Sequence, residues 1–253
     1  MVQPAGYIQG RVISLTVLDY GLFQVHANGR IIGIMGFLIR TDAGENILVD
    51  TGFPPAYAKD AGAARAADEL GSFGVVLDLT ACNLPAAQLA LCGLTPADID
   101  LLILTHSHID HVGGLGGFPG VPILRSAPEA ALPRPLYFGD TQPMDWPEAT
   151  YLTIDKDTQI GPDLRVLFCP GHVAGQLALW VELPDSGSVL LTSDAISRPA
   201  EVVEGFDTAD DPEAAISSAL HILKLAERAG ALVIYGHCPD QWPVLPKAPD
   251  SLS

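Results

Sequence analysis

The sequence has few positively charged residues, and this scarcity excludes one class of partner. Only 13 of its 253 residues are Lys or Arg, against 30 Asp or Glu, so the net charge is −17. Nucleic-acid binding requires Lys and Arg clustered beside the phosphates, and no nucleic-acid partner is expected here. The acidic balance also repels anionic substrates at long range, except where a bound divalent metal reverses the local field.

Long apolar runs and paired cysteines are missing as well. No segment approaches the roughly 18 apolar residues that a membrane span requires, and residues 1–7 lack the basic and apolar segments of a secretory signal. The four cysteines are scattered without a Cys-x-x-Cys pair: Cys82, Cys92, Cys169 and Cys238. Reduced thiols are expected, buried for Cys82 and Cys92. These absences predict a cytoplasmic protein with no membrane partner.

Apolar residues are plentiful, at 48% of the chain, which is enough for a large core. The length suits one domain over residues 1–253. A mean hydropathy of +0.29 is compatible with a homodimer. Strands are predicted over 31–39 and 46–50, and Asp211-Pro212 and Gly230 are typical of the ends of a helix. Residues 53–80 predict only a short helix, near 61–70, within a surface excursion.

Potential metal ligands are concentrated in one segment, His106-Ser107-His108-Ile109-Asp110-His111. An apolar strand, 101–104, precedes it and Gly113-Gly114 follows it. Alternate side chains of an extended chain share a face, so three of the ligands could project together while His111 turns to another side. A lone His is more often a packing or surface residue, but this density is hard to explain by packing. The segment could therefore supply ligands to two adjacent metal ions.

This H-x-H-x-D-H pattern, with Thr105 before it and Gly-Gly after it, resembles the metallo-β-lactamase-fold hydrolases. The resemblance implies an αβ/βα sandwich of two mixed β-sheets flanked by helices. It also implies further ligands downstream, and His172, Asp194 and His237 each follow an apolar strand.

When the roles of the family's metal ligands are carried over by position, they imply two sets of ligands and one residue that binds both ions. One ion would be held by His106, His108 and His172, the other by Asp110, His111 and His237, with Asp194 bridging them. Asp50, at the end of a strand, would orient a ligand histidine. An Asp that caps a turn is the alternative for Asp50.

The residue types suit two divalent metal ions, and zinc best fits imidazole donors. Two ions roughly 4 Å apart can share a hydroxide that attacks a carbonyl at neutral pH. Asp110 or Asp194 would then pass a proton to the leaving group.

Within the superfamily, the chain is most similar to the N-acyl homoserine lactonases, over the stretches 48–52, 93–114, 170–182 and 190–195 and the helix before His237. This implies a quorum-quenching lactonase that acts on a small-molecule lactone or ester. Those lactonases usually have a tyrosine three residues after the bridging Asp, where this chain has Ser197. Tyr137 or Tyr235 could supply a hydroxyl if the fold brings either close.

Large apolar side chains of the proline-rich segment 126–150, three aromatic and one methionine, are candidates for the substrate pocket: Tyr137, Phe138, Met144 and Trp146. Such residues can form an apolar pocket wall, or they can anchor a loop to the core.

Other activities of the same fold stay open. A glutathione thioesterase would be expected to have a basic C-terminal region, and residues 239–253 contain only Lys247. Organophosphate or phosphodiester hydrolysis could use the same metal pair. A β-lactamase is disfavoured, because those enzymes generally lack the bridging Asp that Asp194 supplies here. A mono-iron oxygenase or a non-catalytic member would belong to a different class.

Overall fold

The computed structural model describes residues 4–253, and its strands form two β-sheets. The seven-stranded sheet has the order β4-β1-β2-β3-β5-β6-β7. Its strands are β1 (Val12–Val25), β2 (Ile31–Thr41), β3 (Asn46–Val49), β4 (Gly74–Asp78), β5 (Leu101–Ile103), β6 (Ile123–Ser126) and β7 (Tyr151–Ile154). The five-stranded sheet has the order β12-β11-β10-β9-β8. Its strands are β8 (Thr158–Gly161), β9 (Leu164–Phe168), β10 (Leu177–Leu183), β11 (Gly187–Leu191) and β12 (Leu232–Ile234).

Both sheets are mixed. In the larger sheet β1, β2 and β3 pair antiparallel, while β3, β5, β6 and β7 run parallel. In the smaller sheet only β11 and β12 are parallel. The helices are α1 (Ala61–Ala67), α2 (Pro85–Leu91), α3 (Ile109–Val112), α4 (Ala127–Ala131), α5 (Glu201–Glu204) and α6 (Pro212–Ala229). The predicted sandwich of two mixed sheets with flanking helices is confirmed.

The apolar strands are buried on both faces, because each sheet has a core on either side. In β3, Ile47 and Val49 belong to the core between the sheets, whereas Leu48 belongs to the core on the outer face of the larger sheet. In β10, Leu179 lies between the sheets and Trp180 packs on the outer face with α6. Burial of one such side chain contributes about 1.5–3 kcal/mol. Coverage of both faces explains why these strands have continuous rather than alternating apolar sequences.

Helix α6 covers the outer face of the smaller sheet. The Asp211 side chain caps its first turn by accepting from Ala214 N at 3.0 Å. Pro212 occupies the first turn, where its missing N–H costs nothing. Gly230 ends the helix with φ +64, a conformation that favours glycine. The helix predicted from these signals is confirmed. Among residues 4–253, no helix is both long and apolar enough to cross a membrane.

Two sequence-based expectations are corrected. The excursion 53–80 contains α1 as expected, but also β4, which pairs antiparallel with the end of β1 through Val25 and Gly74. This short strand depends on a partner far along the chain, so the local pattern does not reveal it. Cys82 is exposed and Cys92 half-buried, where both were expected to be buried, and all four cysteines are free.

Candidate metal centre

The predicted ligands lie in segments that follow strands. His106 follows β5, His172 follows β9, Asp194 follows β11 and His237 follows β12, while Asp50 follows β3. Asp110 and His111 lie in α3, the short helix after β5. Strands β3 and β5 are parallel neighbours, and so are β11 and β12. Parallel neighbours end at the same edge of a sheet, and each sheet therefore brings its ligands to one place. The two edges meet, and all seven predicted ligands come together there.

The ligand atoms form two groups, in each of which they all lie within 4.8 Å of one another. One group is His106, His108, His172 and Asp194, and the other is Asp110, His111 and His237. In the first, His172 Nε2 lies 3.0 Å from His108 Nδ1. In the second, Oδ2 of Asp110 lies 3.6 Å from His111 Nε2 and 3.5 Å from His237 Nε2. This is the division that the sequence predicts.

Asp194 lies between the two groups, and its two carboxylate oxygens face different ones. Oδ2 lies 3.4 Å from His172 Nε2 and 4.0 Å from His106 Nε2. Oδ1 lies 3.1 Å from His237 Nε2 and 3.5 Å from His111 Nε2. A carboxylate in this position can serve two cations, one through each oxygen.

The residues fit a metal, because several of their inward-facing atoms are buried and lack a partner. His106 Nε2, His111 Nε2 and Asp194 Oδ1 have no hydrogen bond among the described residues. Leaving such atoms unpaired costs about 1–3 kcal/mol each. Imidazole nitrogen and carboxylate oxygen are donors that borderline divalent ions accept, so bound ions would satisfy all three atoms.

Hydrogen bonds behind the site fix the orientation of two imidazoles. Asp50 Oδ2 lies 2.8 Å from His111 Nδ1, and a carboxylate can only accept, so this nitrogen carries the proton. Asp50 also accepts from Thr105 N at 2.9 Å and from Thr105 Oγ1 at 2.7 Å. The carbonyl oxygen of Gly33 lies 3.0 Å from His237 Nδ1 and has the same effect. In both rings Nε2 is therefore left to face the centre.

Burial and the charges of neighbouring side chains determine the pKa values of the ligand histidines. Burial disfavours the charged form of His111, but the negative charges of Asp110 and Asp50 outweigh it and raise its pKa to about 10. For His237, burial is again outweighed, mainly by Asp194, and its pKa rises to about 9. Burial and the neighbouring histidines hold the pKa of His106 well below its usual value. The group formed by Asp110, His111 and His237 therefore favours bound positive charge.

A cavity of about 570 Å³ opens onto the ligands. Its remaining walls are largely apolar and come mainly from β1, β2 and the excursion 53–80: Phe23, Val25, Ile32, Phe53, Leu70, Phe73 and Phe138. The rings of Phe73 and Phe138 lie 4.4 Å apart between centroids and join two loops over the cavity. An apolar group attached to a substrate at the centre would lie against this wall.

The predicted pocket residues divide into two sets. Those that line the cavity are Tyr137, Phe138 and Ser197. Met144 and Trp146 do not line it, which corrects the prediction for these two. Met144 Sδ accepts from the Tyr137 hydroxyl at 3.3 Å, and Trp146 Nε1 donates to Leu132 O at 3.0 Å. Both anchor the proline-rich segment, which is the alternative that the sequence left open.

Besides Asp210, two charged cavity residues, Arg30 and Glu201, were not predicted. Glu201 accepts from Ser197 N at 2.7 Å, and burial raises its pKa. Arg30 lies beyond the turn that joins β1 and β2. Neither has a local sequence signal, because each reaches the cavity through the tertiary fold. Tyr235, considered as a substitute for the tyrosine that the lactonases have at the position of Ser197, is not among the residues that line the cavity.

Comparison with known proteins identifies relatives over most of the chain. The model of the family described as the Metallo-beta-lactamase superfamily matches residues 34–237. An N-acyl homoserine lactonase of Bacillus thuringiensis is 32% identical over 208 residues, which cover 81% of each chain. An N-acyl homoserine lactonase of Azorhizobium caulinodans is 33% identical over 180 residues, 64% of this chain and 67% of that one.

A solved structure is similar over almost the whole length. It shows an N-acyl homoserine lactone hydrolase with the product N-hexanoyl-L-homoserine bound at its catalytic metal centre. The TM-score is 0.83 at 26% identity, and the match covers 96% of this chain and 100% of that one.

Proposed function

The chain belongs to the Metallo-beta-lactamase superfamily and to its ester-hydrolysing enzymes, and on this premise we propose that it opens lactones with two divalent metal ions. The position of Asp194 carries the proposal, since its two oxygens face two separate ligand groups. A site for a single ion would not require a carboxylate shared in this way.

The two ligand groups define how the ions would be held. The first ion would be bound by His106, His108, His172 and Oδ2 of Asp194, and the second by Asp110, His111, His237 and Oδ1 of Asp194. Zinc is the ion that we propose for these donors. When bound, such a pair supplies an activated water at neutral pH and polarises the ester carbonyl.

The protein's own side chains carry out the proton transfer that opens the ring. Opening of the ring adds one water: a bond forms from water oxygen to the acyl carbon, the bond from that carbon to the ring oxygen breaks, and the departing alkoxide takes a proton. We propose that Oδ1 of Asp110 takes this proton from the attacking water and passes it to the alkoxide. Both oxygens of Asp194 are occupied between the ligand groups, whereas Oδ2 of Asp110 alone lies beside the histidines and Asp110 lines the cavity.

The cavity supports a lactone that carries an acyl chain. Its apolar wall begins next to the ligands, so a chain attached near the ring would be taken out of water along it. The relatives in the comparison are N-acyl homoserine lactonases, and these lactones are the substrates that we propose to test first. Ser197 stands where those lactonases usually have tyrosine, so other lactones belong in the same panel.

The test is hydrolysis of a substrate panel by protein that has been purified without chelator. N-acyl homoserine lactones, simple γ-lactones, an acyl thioester and a phosphotriester are compared by proton release. We expect lactone opening in the wild type and its loss in His108→Ala. His221→Ala is the matched control, because His221 lies on the exposed surface of α6 beside Asp157. Turnover of the thioester or phosphotriester without lactone opening would overturn the proposal, as would full activity in His108→Ala.

A further inference from the structure

The charges that line the cavity are unevenly distributed. Four acidic residues line it together with the ligand histidines: Asp110, Asp194, Glu201 and Asp210. Within residues 4–253, Arg30 is the one Lys or Arg that lines the cavity. In a chain with a net charge of −17, an arginine in this position is a distinct local feature.

The guanidinium of Arg30 has no partner in the described part of the chain. No hydrogen bond, ion pair or aromatic ring engages it, and its Nε is buried without an acceptor. Other arginines with a buried Nε have a different partner for the guanidinium: Arg198 pairs with Glu204, and Arg125 and Arg165 lie over aromatic rings. A buried N–H without an acceptor is unfavourable, and an oxygen atom supplied by a ligand would satisfy Nε of Arg30.

The backbone holds Arg30 in a fixed place. Val25 N donates to Arg30 O and Gly29 N donates to Val25 O, both at 2.9 Å, which closes the turn between β1 and β2. Asn28 Oδ1 accepts from Arg30 N at 3.0 Å. Asn28 also lines the cavity, and its side-chain NH₂ group is left to donate. Two side chains with donor groups at this turn therefore line the cavity.

This donor pair lies at a distance from the metal ligands. Gly33, whose carbonyl contacts His237, is three residues after Arg30. Three residues of extended chain span about 10 Å. Apolar side chains such as Phe23 and Ile32 line the cavity with them. A ligand that reaches both ends must therefore have an apolar middle.

We propose that Arg30, assisted by Asn28, is a binding subsite for an anionic oxygen at the far end of the acyl chain. This inference rests on the proposed function for the orientation of the ligand, with the reacting carbonyl at the metal centre. The substrate class that it defines is a lactone or ester whose chain ends in a carboxylate. A guanidinium binds a carboxylate through two parallel hydrogen bonds, which selects this group over a methyl end.

Binding of linear carboxylates tests the subsite without any turnover. Hexanedioate, octanedioate and decanedioate are compared with hexanoate, octanoate and decanoate by calorimetry on the metal-loaded protein. We expect the diacid of the best length to bind about tenfold more tightly than its monoacid, as one charge-assisted hydrogen bond would give. Arg30→Met should abolish this ratio, and Arg30→Lys should retain part of it.

Arg228→Met is the matched control, because Arg228 lies in the last turn of α6, outside the cavity lining. It should leave the ratio unchanged. Equal affinities of diacids and monoacids in the wild type would overturn the inference, and so would a ratio that survives Arg30→Met. Because these probes are not hydrolysed, failure of lactone opening would overturn the proposed function separately from this result.

Discussion

Asp194 and Asp50 contact the ligand histidines from opposite sides. Asp194 lies at the centre between the two ligand groups, and Asp50 contacts the ring nitrogen of His111 that points away from the centre. Asp194 faces both ligand groups with different oxygens, and burial alone would disfavour its charge. Its pKa is nevertheless held well below the usual value, because His237 and His111 lie beside it. Asp50 has φ +59 and faces His111 from the opposite side. A non-glycine residue with such a φ is uncommon and is maintained by its surroundings.

Replacement of Asp50 by Asn should weaken metal binding without altering the shape of the site. Asn tolerates the left-handed φ, but it replaces one acceptor oxygen with a donor that opposes the Nδ1 proton of His111. We expect metal affinity to fall by about 10-fold to 100-fold. Competition with a chromophoric chelator measures it. Asp157→Asn, at the surface, is the control, and an unchanged affinity in Asp50→Asn would show that the contact does not orient the ligand.

Metal uptake should release protons and strengthen with pH. The pKa values of His111 and His237, about 10 and about 9, lie above neutral pH, so chelator-treated protein carries both protons there. Metal binding must displace them. The apparent affinity should therefore rise about tenfold per pH unit for each displaced proton, until the pH exceeds these pKa values. Zinc titration calorimetry near neutral pH, in buffers of different ionisation enthalpy, counts the protons; no release would contradict the account.

At the scale of elements, strand ends and close glycines assemble the site. A Cβ on Gly236 would lie 2.4 Å from Ser193 O and 3.0 Å from Asp194 Oδ1. Gly114 lies equally close to the chain, since its Cβ would meet Thr51 O at 2.3 Å. These glycines allow the loop after β12 and the loop after α3 to approach the neighbouring backbone.

Gly236→Ala should displace the bridging carboxylate. The added methyl group cannot be accommodated without movement of the segment that carries Asp194, so we expect loss of at least one of the two metal ions and about 1–3 kcal/mol of stability. Gly117→Ala is the matched control, because nothing lies within 4 Å of the position of its Cβ. Metal analysis and urea unfolding check both variants. Full metal content in Gly236→Ala would show that Asp194 tolerates the shift.

The sequence was most informative where the signals are local. Four ligands fall between His106 and His111, and each remaining one directly follows an apolar strand. The ends of α6 could be predicted for the same reason, since capping signals lie within a few residues of the helix. Contacts between distant segments could not be predicted: β4 on β1, the Gly33 carbonyl on His237, or Arg30 in the cavity. These depend on how the two sheets pack, which no local periodicity encodes.

At the scale of the whole molecule, the centre joins the two sheets. Asp50, His106, His108, Asp110 and His111 extend from the larger sheet, and His172, Asp194 and His237 from the smaller one. Ions shared by both sets would crosslink the edges of the sandwich. They would also reduce the repulsion among carboxylates in an acidic chain. Metal binding would therefore be coupled to the stability of the fold.

Removal of metal should lower the thermal stability. At a free zinc concentration of about 1,000 times the dissociation constant, binding contributes about 4 kcal/mol. For a chain of this size that corresponds to a shift in Tm of about 10 °C. Scanning calorimetry with zinc or with chelator measures the shift, and His221→Ala should show it in full. An identical Tm under both conditions would mean that the ligands of the two sheets do not share ions.

The most direct measurement of the central claim is the anomalous scattering of a metal-loaded crystal, recorded on both sides of the zinc absorption edge. The account predicts two peaks about 3.5–4 Å apart, one beside Oδ2 and the other beside Oδ1 of Asp194. A single peak, or two peaks that do not have Asp194 between them, would contradict the dinuclear centre.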